Sequence, residues 1–140
     1  MDIADRLAIH ELVAEYSHVV DDKRWDDLGL VFSEDGVFDA TDRGYPLAEG
    51  MDRLRAHMKT AHHPLAHCVT NVVLTEIDAD TVEVHSKLIA VRVGGVATTS
   101  DYHDLVVRTP DGWRIRRKVT KPRRDPDGDA GDHEFPGTAR

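Results

Sequence analysis

TVEVHSKLIAVRV, residues 81–93, decides the fold. It is a long run of β-branched and apolar residues interleaved with polar ones, free of proline and glycine, which is strand chemistry. Three segments share that character: AHCVTNVVLTEI at 66–77, VATTSDYHDLVVR at 96–108 and WRIRRKVT at 113–120. Their separators are short: Asp78-Ala79-Asp80, Gly94-Gly95 and Pro110-Asp111-Gly112. Turns this short join strands that lie antiparallel. The C-terminal half therefore reads as a four-strand meander, and strands this long twist and curl.

The N-terminal half reads as helices. Ile3, Leu7, Leu12, Val13, Tyr16, Val19 and Val20 share one helical face over residues 2–20, and Asp2 is placed to cap it. RWDDLGLVF, residues 24–32, sets Trp25, Leu28 and Phe32 at helical spacing and predicts a second, short helix weakened by Gly29. Asp35-Gly36 is a turn signal, followed by a short strand Val37-Phe38-Asp39-Ala40 and a loop over 41–50. Met51, Leu54, Met58 and Ala61 predict a third helix over 51–61, which His62-His63-Pro64 ends. From Lys121 the chain turns rich in Pro, Gly and Asp, so the expected boundaries are a domain at 1–121 and a poorly ordered tail at 122–140. Helices first and strands after argue α+β: a curved antiparallel sheet wrapped around N-terminal helices, forming a cone-shaped barrel with a central pocket. Such a cavity suits a small molecule.

With 140 residues, 40% of them hydrophobic, the chain can bury a core without staples. A net charge of −8 repels phosphate backbones and anionic lipid heads, which argues against nucleic acid and membrane partners. The single cysteine, Cys68, cannot form an internal disulfide. MDIADRLAIHELV lacks the basic start and continuous apolar run of a signal peptide. The expected location is cytoplasmic. No phosphate loop, dinucleotide glycine fingerprint or Gly-x-Ser-x-Gly occurs, and no cofactor is expected.

Three stretches carry a family resemblance. Val19-Val20-Asp21-Asp22-Lys23-Arg24-Trp25-Asp26-Asp27-Leu28 is similar to an Asp-x-x-x-Trp helix junction, His67-Cys68-Val69-Thr70-Asn71 opens the first long strand, and Asp111-Gly112-Trp113-Arg114-Ile115 forms the last hairpin. In this order they resemble the SnoaL-like branch of the nuclear-transport-factor-two-like superfamily, over roughly residues 3–120. Within it the chain is similar to scytalone dehydratase and the lindane dehydrochlorinase. The resemblance implies an Asp21–His67 dyad, with His67 as general base and Asp21 orienting it. It also implies a pocket at Val20, Ala40, Val91, Tyr102 and Lys118. There the sequence departs from the family: Val20 and Ala40 replace pocket tyrosines, Val91 a second histidine, and Lys118 an arginine. Removal of a proton from carbon, with loss of water or halide from its neighbour, is an elimination; the same pair serves isomerisation or cyclisation.

Other residues have two readings each. Strand alternation puts Tyr102 and Asp104 on one face and His103 on the other. Tyr102 is either a donor to a substrate oxygen or a core or interface tyrosine. His85 faces either the cavity or a dimer interface. Lys118 falls opposite Trp113 and reads as a solvated lysine, unless a bulge turns it inward as an anion donor. Tyr16 reads as core and pocket wall together, and Trp25 as packing behind Asp21. His57, His62, His63 and His67 form a local cluster, but it straddles a helix end and a proline, so no metal site is expected. Alternation turns Cys68 away from His67, which argues against a Cys–His nucleophile. Two functions follow: a cofactor-free lyase or isomerase on a small, mostly apolar molecule, or a non-catalytic module that binds a small molecule or a protein. A homodimer paired through the open sheet face is expected.

Overall fold

The computed structural model describes residues 1–124. α1 (Ile3–Asp21) starts where Asp2 accepts the Asp5 N–H at 2.8 Å, satisfying one of the free donors of the first turn. It ends in a two-bond reversal, with Lys23 N–H on Val20 O at 3.1 Å and Arg24 N–H on Val19 O at 2.8 Å. Lys23 takes the left-handed position usually given to glycine, at φ 55°. α2 (Met51–Thr60) matches the third predicted helix.

The strands are β1 (Phe32–Asp39), β2 (Ala48–Glu49), β3 (Ala66–Asp78), β4 (Thr81–Val91), β5 (Ala97–Thr109) and β6 (Gly112–Pro122). They form one sheet in the order β2-β1-β6-β5-β4-β3. The expected meander is present, antiparallel from β3 through β6. The sheet as a whole is mixed, because β1 lies parallel to β6. β1 reaches that edge from outside the meander, its chain passing through α2 before β3 begins, so no hairpin forces an antiparallel pairing. The result is a cone of helices against a curved, unclosed sheet.

Alternation sorts the faces. On β4 the even positions Val82, Val84, Ser86, Leu88 and Ala90 are buried, and the odd ones face outward. α1 lays Ile9, Val13, Tyr16 and Val19 on that inner face, each of them nearly fully buried. Burial of side chains of this size is worth about 1.5–3 kcal/mol each. Two irregularities shift the alternation. In β3 Asn71, at φ 55°, moves the inward series from His67 and Val69 to Val72 and Leu74. In β6 the pairing jumps so that Leu105 faces Arg117 and Val106 faces Ile115; Arg116 is the extra residue of a bulge.

Some local expectations change. The second helix is a 3-10 segment, Trp25–Leu30, and Phe32 already belongs to β1. Asp35-Gly36 makes no turn ahead of the strand; Gly36 sits within β1, where an added Cβ would lie 2.8 Å from Ser33 O and 3.1 Å from Leu54. A close approach, rather than a turn, requires the glycine. The loop over 41–50 contains a 3-10 turn, Thr41–Arg43, and β2. β6 carries the chain to Pro122, and Arg123 N–H still bonds Thr99 O at 3.1 Å. The rest of the expected tail, 125–140, lies outside the described residues. Among the described residues no helix is long and apolar enough to cross a membrane.

Candidate active site

The reversal that ends α1 leaves Asp21 as its last helical residue, facing the start of β3. Its carboxylate is used twice on one neighbour. Oδ2 accepts the His67 backbone N–H at 3.0 Å, and Oδ1 lies 2.5 Å from His67 Nδ1. A carboxylate only accepts, so the neutral ring carries its proton on Nδ1, and Nε2 is left with a lone pair for the cavity that His67 lines. The two bonds fix both the ring and the backbone that holds it. The His67 side chain is 7% exposed, and this burial pulls its pKa below the ordinary imidazole value; Asp21 opposes that pull without overcoming it. Near neutral pH the ring is therefore neutral and able to take a proton.

The cavity has a volume of about 150 Å³. Tyr16, Phe38, Tyr45 and Leu88 give it apolar walls, and His57, His63 and His67 give it imidazoles. Tyr16 meets Tyr102 edge-on at 6.0 Å and His67 at 6.3 Å, bracing the ring from α1. Burial pushes the Tyr16 phenol well above its usual value, with Tyr102 beside it adding to the rise, and burial raises Tyr102 as well. Both hydroxyls thus stay protonated. His63 donates from Nε2 to Met58 O at 2.7 Å and packs against Trp25, with ring centres 5.4 Å apart.

Beneath this wall lies a fully buried ion pair, Lys118 Nζ to Asp104 Oδ2 at 2.7 Å. Lys118 Nζ also sits 3.9 Å from the centre of the Tyr102 ring and 4.4 Å from that of Tyr16. Burial raises the Asp104 carboxyl and lowers the Lys118 ammonium. Lys118 is thus neither a solvated lysine nor one of the groups that line the cavity: the bulge at Arg116 returns it to the inner face of Trp113 and Ile115, where it is fully buried.

Of the positions read from the sequence, Asp21 and His67 meet, and Tyr16, Ala40 and Tyr102 line the cavity. Val20 does not: it is buried in the core and borders, with Asp21, a separate groove at the helix end. His85 and Val91 are corrections too. Both are odd positions of β4 and face outward, where His85 stacks on His103 at 4.6 Å and approaches Asp101 at 3.3 Å. Cys68 is exposed on that outer face. His57, His62, His63 and His67 all line the cavity, yet among the described residues no three His, Cys, Asp or Glu side chains are placed to hold a metal ion. The lining residues that escaped the sequence reading include two arginines, Arg43 and Arg92. Arg92 follows Leu88 and Ala90 at even spacing, the signal by which it was legible as inward-facing.

Comparison with known proteins gives a consistent picture. The family model described as "SnoaL-like domain" matches residues 1–119. An uncharacterized protein of Mycobacterium tuberculosis is 32% identical over 132 residues, covering 84% of this chain and 85% of the relative. Two structures from Novosphingobium aromaticivorans are similar. One, described as a putative aromatic ring hydroxylase, is 32% identical with a TM-score of 0.70, covering 86% of this chain and 90% of that one. The other, an NTF2-like protein with a cystatin-like fold, is 26% identical with a TM-score of 0.74, covering 84% and 81%. A putative scytalone dehydratase from the same organism and LinA, each 18% identical with a TM-score of 0.69, share the fold; coverage is 95% and 97% for the former, 84% and 85% for the latter.

Proposed function

We propose that this chain, which belongs to the SnoaL-like domain family, is a cofactor-free lyase or isomerase that moves a proton on a small, mostly apolar molecule. The observation that carries the reading is the 2.5 Å contact between Asp21 Oδ1 and His67 Nδ1 at the wall of the cavity. His67 Nε2 takes a proton from a substrate carbon. Asp21 holds the ring in the productive tautomer and stabilises the imidazolium that forms. Loss of water or halide from the adjacent carbon completes an elimination; return of the proton to another carbon completes an isomerisation, and attack of the carbanion on a carbonyl carbon of the same molecule, whose oxygen takes the proton back from His67, completes a cyclisation. Such proton transfer is worth roughly 10²–10⁴-fold in rate. The neutral phenols of Tyr16 and Tyr102 are the groups able to donate to a developing oxyanion. The relationship to dehydratase-like folds supports this reaction class.

The test is a panel of β-hydroxy and β-halo ketones and acids incubated in D₂O with the wild type and with His67→Gln. Alkene formation and deuterium uptake at carbon are followed by NMR. Turnover by the wild type, lost in the variant while its fold persists, is the expected result. Wild-type rates no higher than those of the variant across the panel would replace the enzyme reading with that of a binding module.

We also propose a cytoplasmic homodimer. Outward Val73 and Ile89 on β3 and β4, beside the stacked His85 and His103, give the outer sheet face both apolar and polar matter for a partner copy. A monomer by light scattering at micromolar concentration would contradict the pairing.

A further inference from the structure

The cavity's charge is opposite to that of the protein. The chain carries −8, yet among the described residues the cavity wall contains two arginines and neither aspartate nor glutamate. His57, His63 and His67 are all held below the ordinary imidazole value by burial, so the positive charge near neutral pH rests on the arginines. Arg43 donates from Nη2 to Ser100 Oγ at 2.7 Å. Arg92 is different: its Nε is buried with no hydrogen-bond partner, and among the described residues no carboxylate pairs with it. A desolvated guanidinium N–H without an acceptor is unfavourable, and native structures supply a partner for such groups.

The sheet register places this group relative to the dyad. His67 on β3 pairs with Ala90 on β4, and Arg92 is two residues further along the same face. That offset is about 7 Å along the strand. Across from Ala90 on β5, the hydroxyl of Thr98 is also buried and unpaired. Two unsatisfied donors thus flank the strand position directly opposite His67.

We propose that Arg92 is the anchor of an anion subsite and that the cavity's natural ligand is a small organic acid, with an apolar or aromatic body and a carboxylate held by the Arg92 guanidinium. A guanidinium fork matches a carboxylate through two parallel N–H···O bonds. The offset selects acids whose reactive carbon lies a few bonds from the carboxylate, within reach of His67 Nε2. The inference deepens the proposed function and uses that reading only in taking this cavity as the substrate site.

The test measures binding, so it stands apart from catalysis. Benzoate and its neutral isostere benzamide are titrated by calorimetry into the full chain as wild type, Arg92→Gln, Arg92→Lys and His67→Gln, with folding checked by circular dichroism. Benzoate should bind the wild type at least about tenfold more tightly than benzamide. Arg92→Gln should abolish that preference, and His67→Gln should keep it, even if no elimination substrate is ever found. If Arg92→Gln does not fold, Arg92→Lys decides, with a severalfold loss of benzoate affinity expected because the fork is gone. Equal affinities, no benzoate binding up to about 20 mM, or a preference unchanged by either Arg92 substitution would overturn the proposal.

Discussion

Lys118→Met separates the two roles a buried ion pair can have, stabilising the fold or shaping a site. Methionine keeps the aliphatic length and removes the ammonium. Lys118 and Asp104 side chains are both fully buried, at 2.7 Å, and Asp104 Oδ1 already has no partner. At that separation such a pair attracts with about 6 kcal/mol at an effective dielectric of about 20. Losing the lysine strands a carboxylate in apolar surroundings, which costs roughly 3–5 kcal/mol. That is a large part of the stability of a domain this size. The pH dependence follows from burial, which already raises the Asp104 carboxyl and which Lys118 chiefly opposes, with a smaller pull from His103. With Lys118 gone, the folded-state pKa lies further above the unfolded value. Stability from that group is then full below the unfolded pKa and is lost as pH rises through the folded one. The deficit of Lys118→Met should therefore be greatest at pH 7 and shrink toward pH 4. Asp104→Leu combined with Lys118→Met should recover most of the loss, because well-packed apolar replacements of buried pairs are commonly neutral or stabilising. Urea unfolding at both pH values measures each step. A single-variant deficit below about 1 kcal/mol at pH 7, or a double variant no more stable than the single, would refute the reasoning.

Other predictions are simpler. Lys23→Gly should raise stability by up to about 1 kcal/mol, because the left-handed position strains a residue with a Cβ; thermal unfolding reads this, and a fall would count against the helix-end geometry. Gly36→Ala should lower stability by about 1–3 kcal/mol through overpacking against Ser33 O and Leu54, again seen in the denaturant midpoint. His57, His63 and His67 all have folded pKa values below the ordinary one, so the stability they contribute is full above pH 6.5 and is lost as pH falls below it; a denaturant midpoint unchanged between pH 7.5 and 5 would contradict this. Asp21→Asn should lower turnover of any substrate found by about 10³–10⁴-fold, since an amide facing Nδ1 favours the wrong tautomer.

Much of this was legible from local pattern. The meander showed in strand chemistry and short turns, and α1 in its apolar face and Asp2 cap. The meeting of Asp21 with His67 came from likeness to a family, because nothing local to either residue encodes a contact 46 positions apart. The misreading of Lys118 has a definite cause. A strand's face is set by parity, and parity resets at every bulge. One extra residue, Arg116, turned Lys118 from solvent to core. Family likeness assigned Val91 an inward position, and His85 was left open between cavity and interface; the regular alternation of β4 turns both outward. Arg92 went unnoticed for the converse reason: a charged residue near Gly94 reads as solvated, although Leu88 and Ala90 before it share its parity. The parallel pairing of β1 with β6 depends on a long connection, which no local turn announces.

The account rests on His67 being a neutral base with its lone pair toward the cavity. A long-range ¹H–¹⁵N NMR spectrum of the imidazoles at pH 7, assigned with His67→Gln, reads that state directly. The account predicts a neutral His67 ring with the proton on Nδ1 and an unprotonated Nε2. A proton on Nε2, or an imidazolium at that pH, would contradict it.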